Sequence, residues 1–282
     1  MSTLAKNNTK KSARKAWLFI VPAGLLAAIC VAFFIYTSNY YHADSYALSK
    51  LESSETVTVS QTEYGWLFDG PSESDALIFY PGAKVEETAY APLMHRLAAE
   101  GMDVCLVKMP FHLAFFGMNE ATDIIAYYEA SADYHYENWY LGGHSLGGAM
   151  AAVYAAGEET QGGAAAAGQA EASGSAEQTA ASGAADCTPH LTGLILLASY
   201  PTKPLSEDLK VITIYGSEDG VLNMAKIEEG KQYLPAGNEL YELAGGNHAQ
   251  FGNYGPQRGD GEATISAEEQ QKKTVELILG MR

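Results

Sequence analysis

Tyr140-Leu-Gly-Gly-His-Ser-Leu-Gly-Gly148 constrains this 282-residue chain more than any other stretch, because it sets a serine between glycines where one periodicity gives way to another. Upstream, Asn138-Trp-Tyr-Leu141 is a short apolar run of strand type, and downstream Ala149 to Ala156 is rich in small helix formers. A G-x-S-x-G sequence at such a junction reads as a nucleophile elbow, a strained turn that lifts the serine hydroxyl out of the sheet. Gly143 and Gly147 stand where side chains would collide with the neighbouring strand and helix, which leaves Ser145 as the candidate nucleophile. The first helical N–H, that of Leu146, is a candidate oxyanion donor, supported by the helix dipole.

The short pattern alone is weak in a chain with 28 glycines, so its surroundings must decide. Val57 to Ser60 and Tyr64 to Phe68 suggest an opening antiparallel pair, and Ala76 to Tyr80 a buried strand ended by Pro81-Gly82. Tyr90 to Ala99 then reads as a helix, Asp103 to Lys108 as a strand and Asn119 to Tyr128 as a helix. Past the elbow, Leu194 to Ala198, Val211 to Tyr215 and Glu239 to Leu243 read as strands, with helices over Val221 to Gln232 and Ile265 to Leu279. Alternation at these lengths predicts an α/β fold, a mostly parallel sheet with helices on both faces, which binds ligands beyond the carboxyl ends of its strands. Residues 157–186 interrupt the pattern with 30 residues lacking aromatics, Val, Ile, Leu and Met. That insert is expected to be disordered and to lie at the sheet edge opposite the site.

A serine needs a base, and the base needs a carboxylate to orient it. His248, in Gly245-Gly-Asn-His-Ala-Gln-Phe251, follows the last strand at its carboxyl end, and Asp219, in Tyr215-Gly-Ser-Glu-Asp-Gly220, follows the strand before it. The chain order Ser145, Asp219, His248 is that of α/β hydrolases. The loop after the strand at Ala76 should supply a second oxyanion donor, and Ala83 N–H fits, since Pro81 has no N–H to offer. Met109 to Gly117 also follows a strand end; Phe111, Phe115 and Phe116 read equally well as pocket lining or core, and His112 is its polar member. No cofactor or metal is called for.

Ala16 to Tyr36 are 21 residues without a charge, enough at about 1.5 Å per residue to cross a hydrocarbon core of roughly 30 Å. Lys6, Lys10, Lys11, Arg14 and Lys15 precede them and the first acidic residue is Asp44, so residues 1–15 are expected to form a basic cytoplasmic tail and 16–36 a single-pass signal anchor that places the rest outside the cell. The alternative, a signal peptide cleaved near Ala43 or Ala47, fits less well because such peptides have apolar cores of about 7 to 15 residues. Residues 37–55 read as a polar stalk, and 56–282 as the catalytic domain. The net charge is −17, and the part after the apolar stretch carries all 34 acidic residues, which excludes nucleic acid as a partner. Cys30, Cys105 and Cys187 are too scattered for a disulfide framework, and the chain is expected to be monomeric.

Tyr80-Pro-Gly82, Gly142 to Gly148, Ala198-Ser-Tyr-Pro201, Gly216 to Gly220 and Gly246 to Gly255 together resemble the α/β hydrolase superfamily, in particular its small, membrane-anchored bacterial members with a dienelactone-hydrolase-like layout. The resemblance covers about residues 56 to 282 without the insert. It implies a triad of Ser145, Asp219 and His248 and hydrolysis of a small-molecule ester. Dienelactone hydrolase itself uses a cysteine nucleophile, so its substrate does not carry over. Only about 12 residues separate the strands at Leu194 and Val211, too few for a lid or cap domain. The expected activity is a carboxylesterase acting through an acyl-enzyme. The alternatives are a catalytically silent binding fold, or an acyltransferase or thioesterase using the same site.

Overall fold

The computed structural model describes residues 3–72, 74–157 and 191–282, in two units: Met1–Tyr40 and Tyr41–Arg282. Cys187 and the insert from residue 158 onward lie outside the described residues. The first unit is a 36-residue helix, α1 (Thr3–Ser38), whose window Val21–Ser38 has a mean hydropathy of 2.0 and is long and apolar enough to cross a membrane. It contains the whole stretch expected to span.

The second unit is built on one eight-stranded sheet: β1 (Thr58–Gln61), β2 (Gly65–Asp69), β3 (Asp75–Tyr80), β4 (Asp103–Val107), β5 (Asn138–His144), β6 (Leu191–Leu197), β7 (Lys210–Gly216) and β8 (Glu239–Leu243). Their order across the sheet is β1-β2-β4-β3-β5-β6-β7-β8, with the β1–β2 and β2–β4 pairings antiparallel and the other five parallel. The central strands read as unbroken apolar runs because each face has its own core. Leu77, Phe79, Ile195, Leu197, Ile212 and Ile214 join one cluster, with Leu93 and Leu97 of α3 (Ala91–Ala99) and Val275 and Ile278 of α7 (Ala267–Gly280). Ala76, Ile78, Tyr80, Leu194, Leu196 and Val211 face the other way, toward Ile124 and Ile125 of α4 (Glu120–Glu129) and Ala151 and Ala152 of α5 (Leu146–Ala155). Helices therefore cover both faces and leave the strand ends for function.

Two segments differ from the sequence reading. The expected stalk belongs to the folded unit from Tyr41 onward. Tyr41 forms a parallel bridge with Val85, its N–H donating to Lys84 O at 2.7 Å and its carbonyl accepting from Glu86 N–H at 2.9 Å. A short helix, α2 (Ser45–Ser49), then buries Ala47 completely. The few apolar residues that hold this segment, Tyr41, Ala43, Ala47 and Leu51, are diluted among polar ones and show no periodicity. The helix expected from Val221 starts only at Met224, as α6 (Met224–Gly230), because the preceding amides have other partners at the site.

Candidate active site

The turn between β5 and α5 carries the strain its sequence implies. Ser145 sits at φ 54°, ψ −121°, a backbone region disfavoured for any residue with a side chain, held by its N–H to Leu197 O at 2.9 Å and by Ala149 N–H to its own carbonyl at 3.0 Å. The flanking glycines are sterically obligatory. A Cβ on Gly143 would lie 2.5 Å from Gly147 C, and one on Gly147 would lie 2.1 Å from Tyr80 O. The second contact shows that the Tyr80-Pro-Gly-Ala83 loop closes directly onto the elbow. Ala83 N–H there donates to no group among the described residues, and Leu146 N–H, first in α5, has no intrahelical acceptor. Leu146 thus opens the helix that follows Ser145, and Ala83 follows the loop residues that abut Gly147.

Asp219 and His248 are brought together from the ends of β7 and β8. His248 Nδ1 lies 2.8 Å from Asp219 Oδ2, with both side chains almost wholly buried, at 2% and 1% exposure. The other carboxylate oxygen, Oδ1, accepts from Val221 N–H at 2.9 Å and Leu222 N–H at 2.8 Å. Those two bonds fix the acid and also postpone the helix, which is capped at Asn223, whose side chain accepts from Ala225 N–H. With Nδ1 engaged by a carboxylate, the imidazole carries its proton there and presents Nε2 as the basic nitrogen. That atom is buried and makes no hydrogen bond. His248 and Ser145 line the same recess, of about 260 Å³.

The two loops are laced together by their backbones. Ser217 N–H donates to Leu243 O at 3.0 Å, Glu218 N–H to Gly246 O at 2.8 Å and Gly245 N–H to Ser217 Oγ at 2.8 Å. Asp260 completes the join: Oδ1 accepts from Gly220 N–H (3.1 Å), His248 N–H (3.2 Å) and Gly261 N–H (2.9 Å), and Oδ2 from Ala249 N–H (2.8 Å). The sequence reading missed Asp260. Its signal is Gly259-Asp-Gly261, a carboxylate between glycines, where a Cβ on Gly261 would lie 2.0 Å from Glu218 O.

Tyr90 and His144 were also not assigned roles. Gly82 N–H donates to Tyr90 Oη at 3.1 Å, so the phenol proton is free to go to His144 Nδ1, 2.8 Å away. A Tyr90-to-His144 bridge thus joins the loop bearing Gly82 and Ala83 to the elbow. The His144 ring packs on that of His248, with centroids 4.5 Å apart. Burial, and next the neighbouring His248, hold its pKa well below the ordinary 6.5, so it stays neutral.

The aromatic loop takes neither of its two expected places. Phe111, Phe115 and Phe116 are 51%, 63% and 48% exposed, which removes them from the core. They and His112 also do not line the recess at Ser145, whose walls come from Leu146, Ala149, Ala198, Ser199, Tyr200, Val221, Leu222 and Asn223. The loop acts through its backbone: His112 O accepts Lys84 N–H at 2.7 Å, bracing the residue after Ala83. Phe111 and His112 both have positive φ, 56° and 55°, a tight fold that periodicity does not reveal.

A sheet with this strand order, mostly parallel and turning sharply at the end of β5, defines the class of α/β hydrolases. A profile of the Alpha/beta hydrolase family matches residues 76–180 and 172–272, and the chain belongs to that family. No curated protein matches the sequence. Among solved structures, the chain is similar to Thermogutta terrifontis esterase 2 phosphoramylated by tabun, at 13% identity and TM-score 0.52, over 81% of this chain and 96% of that one. The butyrate-bound form of that esterase is similar at 13% identity and TM-score 0.51, over 80% and 95% of the two chains. At such identity the likeness concerns the fold.

Proposed function

We propose that this protein is a membrane-anchored serine hydrolase that cleaves carboxylic esters through an acyl-enzyme on Ser145. The observation that carries the reading is the pairing of a strained, strand-ending serine with a buried Asp219–His248 contact of 2.8 Å whose second ring nitrogen is unengaged, in one recess. His248 Nε2 takes the proton of Ser145 Oγ as that oxygen adds to the ester carbonyl, and Asp219 stabilises the resulting imidazolium. The oxyanion accepts from the N–H groups of Leu146 and Ala83. When it collapses, the C–O bond to the alcohol breaks and His248 returns the proton to the leaving oxygen. Water then repeats the cycle: it gives its proton to His248, adds to the acyl carbon, and releases the acid and free Ser145. The fold neighbours, an esterase in butyrate-bound and tabun-modified forms, agree with this chemistry.

Five basic residues before the apolar span, and none acidic before Asp44, support a cytoplasmic N-terminus and an extracytoplasmic catalytic unit. The deciding experiment is labelling with a fluorophosphonate probe alongside hydrolysis of an activated ester. The wild type should show both activities and Ser145→Ala neither; undiminished labelling of the variant would rule out the nucleophile assignment.

A further inference from the structure

Two recesses meet at one side chain. The first, of about 260 Å³, opens on Ser145 and His248, with Ala149 of α5, Ala198 at the end of β6, and Val221 and Leu222 after Asp219 among its walls. The second, of about 230 Å³, lies between Pro201 and the carboxyl end of α6, with Gly230 and Tyr233 in its lining. Tyr200 borders both, and no other described residue does. Its position is fixed from two sides. Ala198 takes an unusual φ of 46° and anchors its N–H to Ile214 O at 2.8 Å, turning the chain sharply off the strand. Gly230 packs against the tyrosine stem so closely that a Cβ there would lie 3.3 Å from Tyr200 Cβ and 3.1 Å from Pro201 O.

We propose that the first recess is the acyl subsite, that Tyr200 is its end wall, and that the substrates are esters of short, uncharged aliphatic acids. The inference rests on the reading of Ser145 as nucleophile. In that chemistry the alcohol departs while the acyl group stays bonded to Ser145 until water arrives, so the walled space beside Ser145 serves the group that stays. Leu146, Ala149, Ala198, Val221 and Leu222 make most of the wall, and Ser199 and Asn223 are its uncharged polar members. Apart from His248 and the Tyr200 phenol, no ionisable side chain among the described residues faces an acyl chain there. The volume of about 260 Å³ falls below the roughly 300–1,000 Å³ of pockets that take drug-sized ligands. A chain long enough to reach Tyr200 must stop there, although a second space lies just beyond it.

The test is a series of p-nitrophenyl esters from acetyl to dodecanoyl, with the full chain in detergent. In the wild type, kcat/KM should rise by up to about fourfold per methylene that fits, the factor for burying one CH₂, and fall for chains that meet Tyr200. Tyr200→Ala should move the optimum at least two carbons longer, while Tyr200→Phe, which keeps the ring, should preserve the wild-type profile. Ala149→Val narrows the same recess from the front and should move the optimum shorter, which keeps the test open if Tyr200→Ala does not fold. An unchanged profile in both Tyr200→Ala and Ala149→Val would overturn the proposal, as would a length dependence that follows the alcohol in a series of alkyl acetates. If the wild type shows neither turnover nor probe labelling, the nucleophile reading falls with it. Labelling at Ser145 with no shift in any profile rejects the acyl-subsite proposal and leaves the nucleophile reading standing.

Discussion

Asp260 binds His248 by its backbone and not by its ring: Oδ1 takes the His248 N–H at 3.2 Å while the imidazole turns its Nδ1 to Asp219 at 2.8 Å. One histidine is thus held at two points by two carboxylates with separate tasks, one setting where the residue sits and the other how its ring points.

Asp260→Asn keeps an acceptor at Oδ1 but can turn an amide donor toward the Ala249 N–H that Oδ2 now accepts. Bonds to a charged acceptor are worth about 1.5–3 kcal/mol each, and we expect a loss of at least about tenfold in kcat/KM on an activated ester. Asp260→Glu should recover part of it. An Asp260→Asn enzyme with wild-type kinetics and an unchanged unfolding midpoint would show that the carboxylate is dispensable.

Tyr90→Phe removes the acceptor of Gly82 N–H and the donor to His144 Nδ1 in one step. The buried N–H left unsatisfied costs about 1–3 kcal/mol, and the loop bearing Ala83 loses its tie to the elbow. The expected signature is a lower kcat with little change in KM, since an oxyanion donor acts on the transition state. Steady-state kinetics on one ester decides it, and an effect confined to KM would count against this role.

His144 predicts a pH dependence of stability. Its folded pKa is depressed below 6.5 by burial and by His248, so below that pH the unfolded chain binds a proton that the folded chain refuses. Stability is then complete above about pH 6.5 and falls as the pH drops toward the folded value, by up to about 1.4 kcal/mol per pH unit from this group. Burial depresses His95 and His112 in the same direction. Denaturant unfolding of His144→Asn between pH 7.5 and 5.5 should show a shallower loss than the wild type; parallel curves would refute the assignment.

The segment from Tyr41 to Ser49 makes a prediction about truncation. A chain starting at Tyr40 retains the Tyr41–Val85 bridge and buried Ala47, whereas one starting at Thr56 loses both. We expect the shorter chain to melt several degrees lower, as a deficit of about 1–2 kcal/mol implies for a domain of this size. Equal melting temperatures would mean that the segment only rests on the surface.

What the sequence disclosed depended on how local each signal was. The buried strands, the elbow glycines and the Asp219–His248 pairing are written in short runs and in chain order, so they could be read directly. The contribution of Asp260 could not, since it acts through backbone amides 11 and 12 residues away, with no pattern to mark it beyond its glycine neighbours. Val221 and Leu222 have helix-compatible side chains, yet their N–H groups are taken by Asp219, and a side-chain acceptor outcompeted propensity. The phenylalanine loop was undecidable because burial is a property of the fold, and two successive left-handed residues turn its rings outward.

The lacing of the β7 and β8 loops has a mechanical consequence. The loops bearing Asp219 and His248 share so many ties, from Ser217–Leu243 and Glu218–Gly246 to Gly220 and His248 on one Asp260 carboxylate, that they are joined into one piece. Ser145 belongs to a different rigid piece, set by β5, α5 and the strand beside them. The adjustable joint of the site therefore lies between the histidine and the serine, and distant substitutions that tilt one piece against the other will tune the reaction while leaving the Asp219–His248 contact intact.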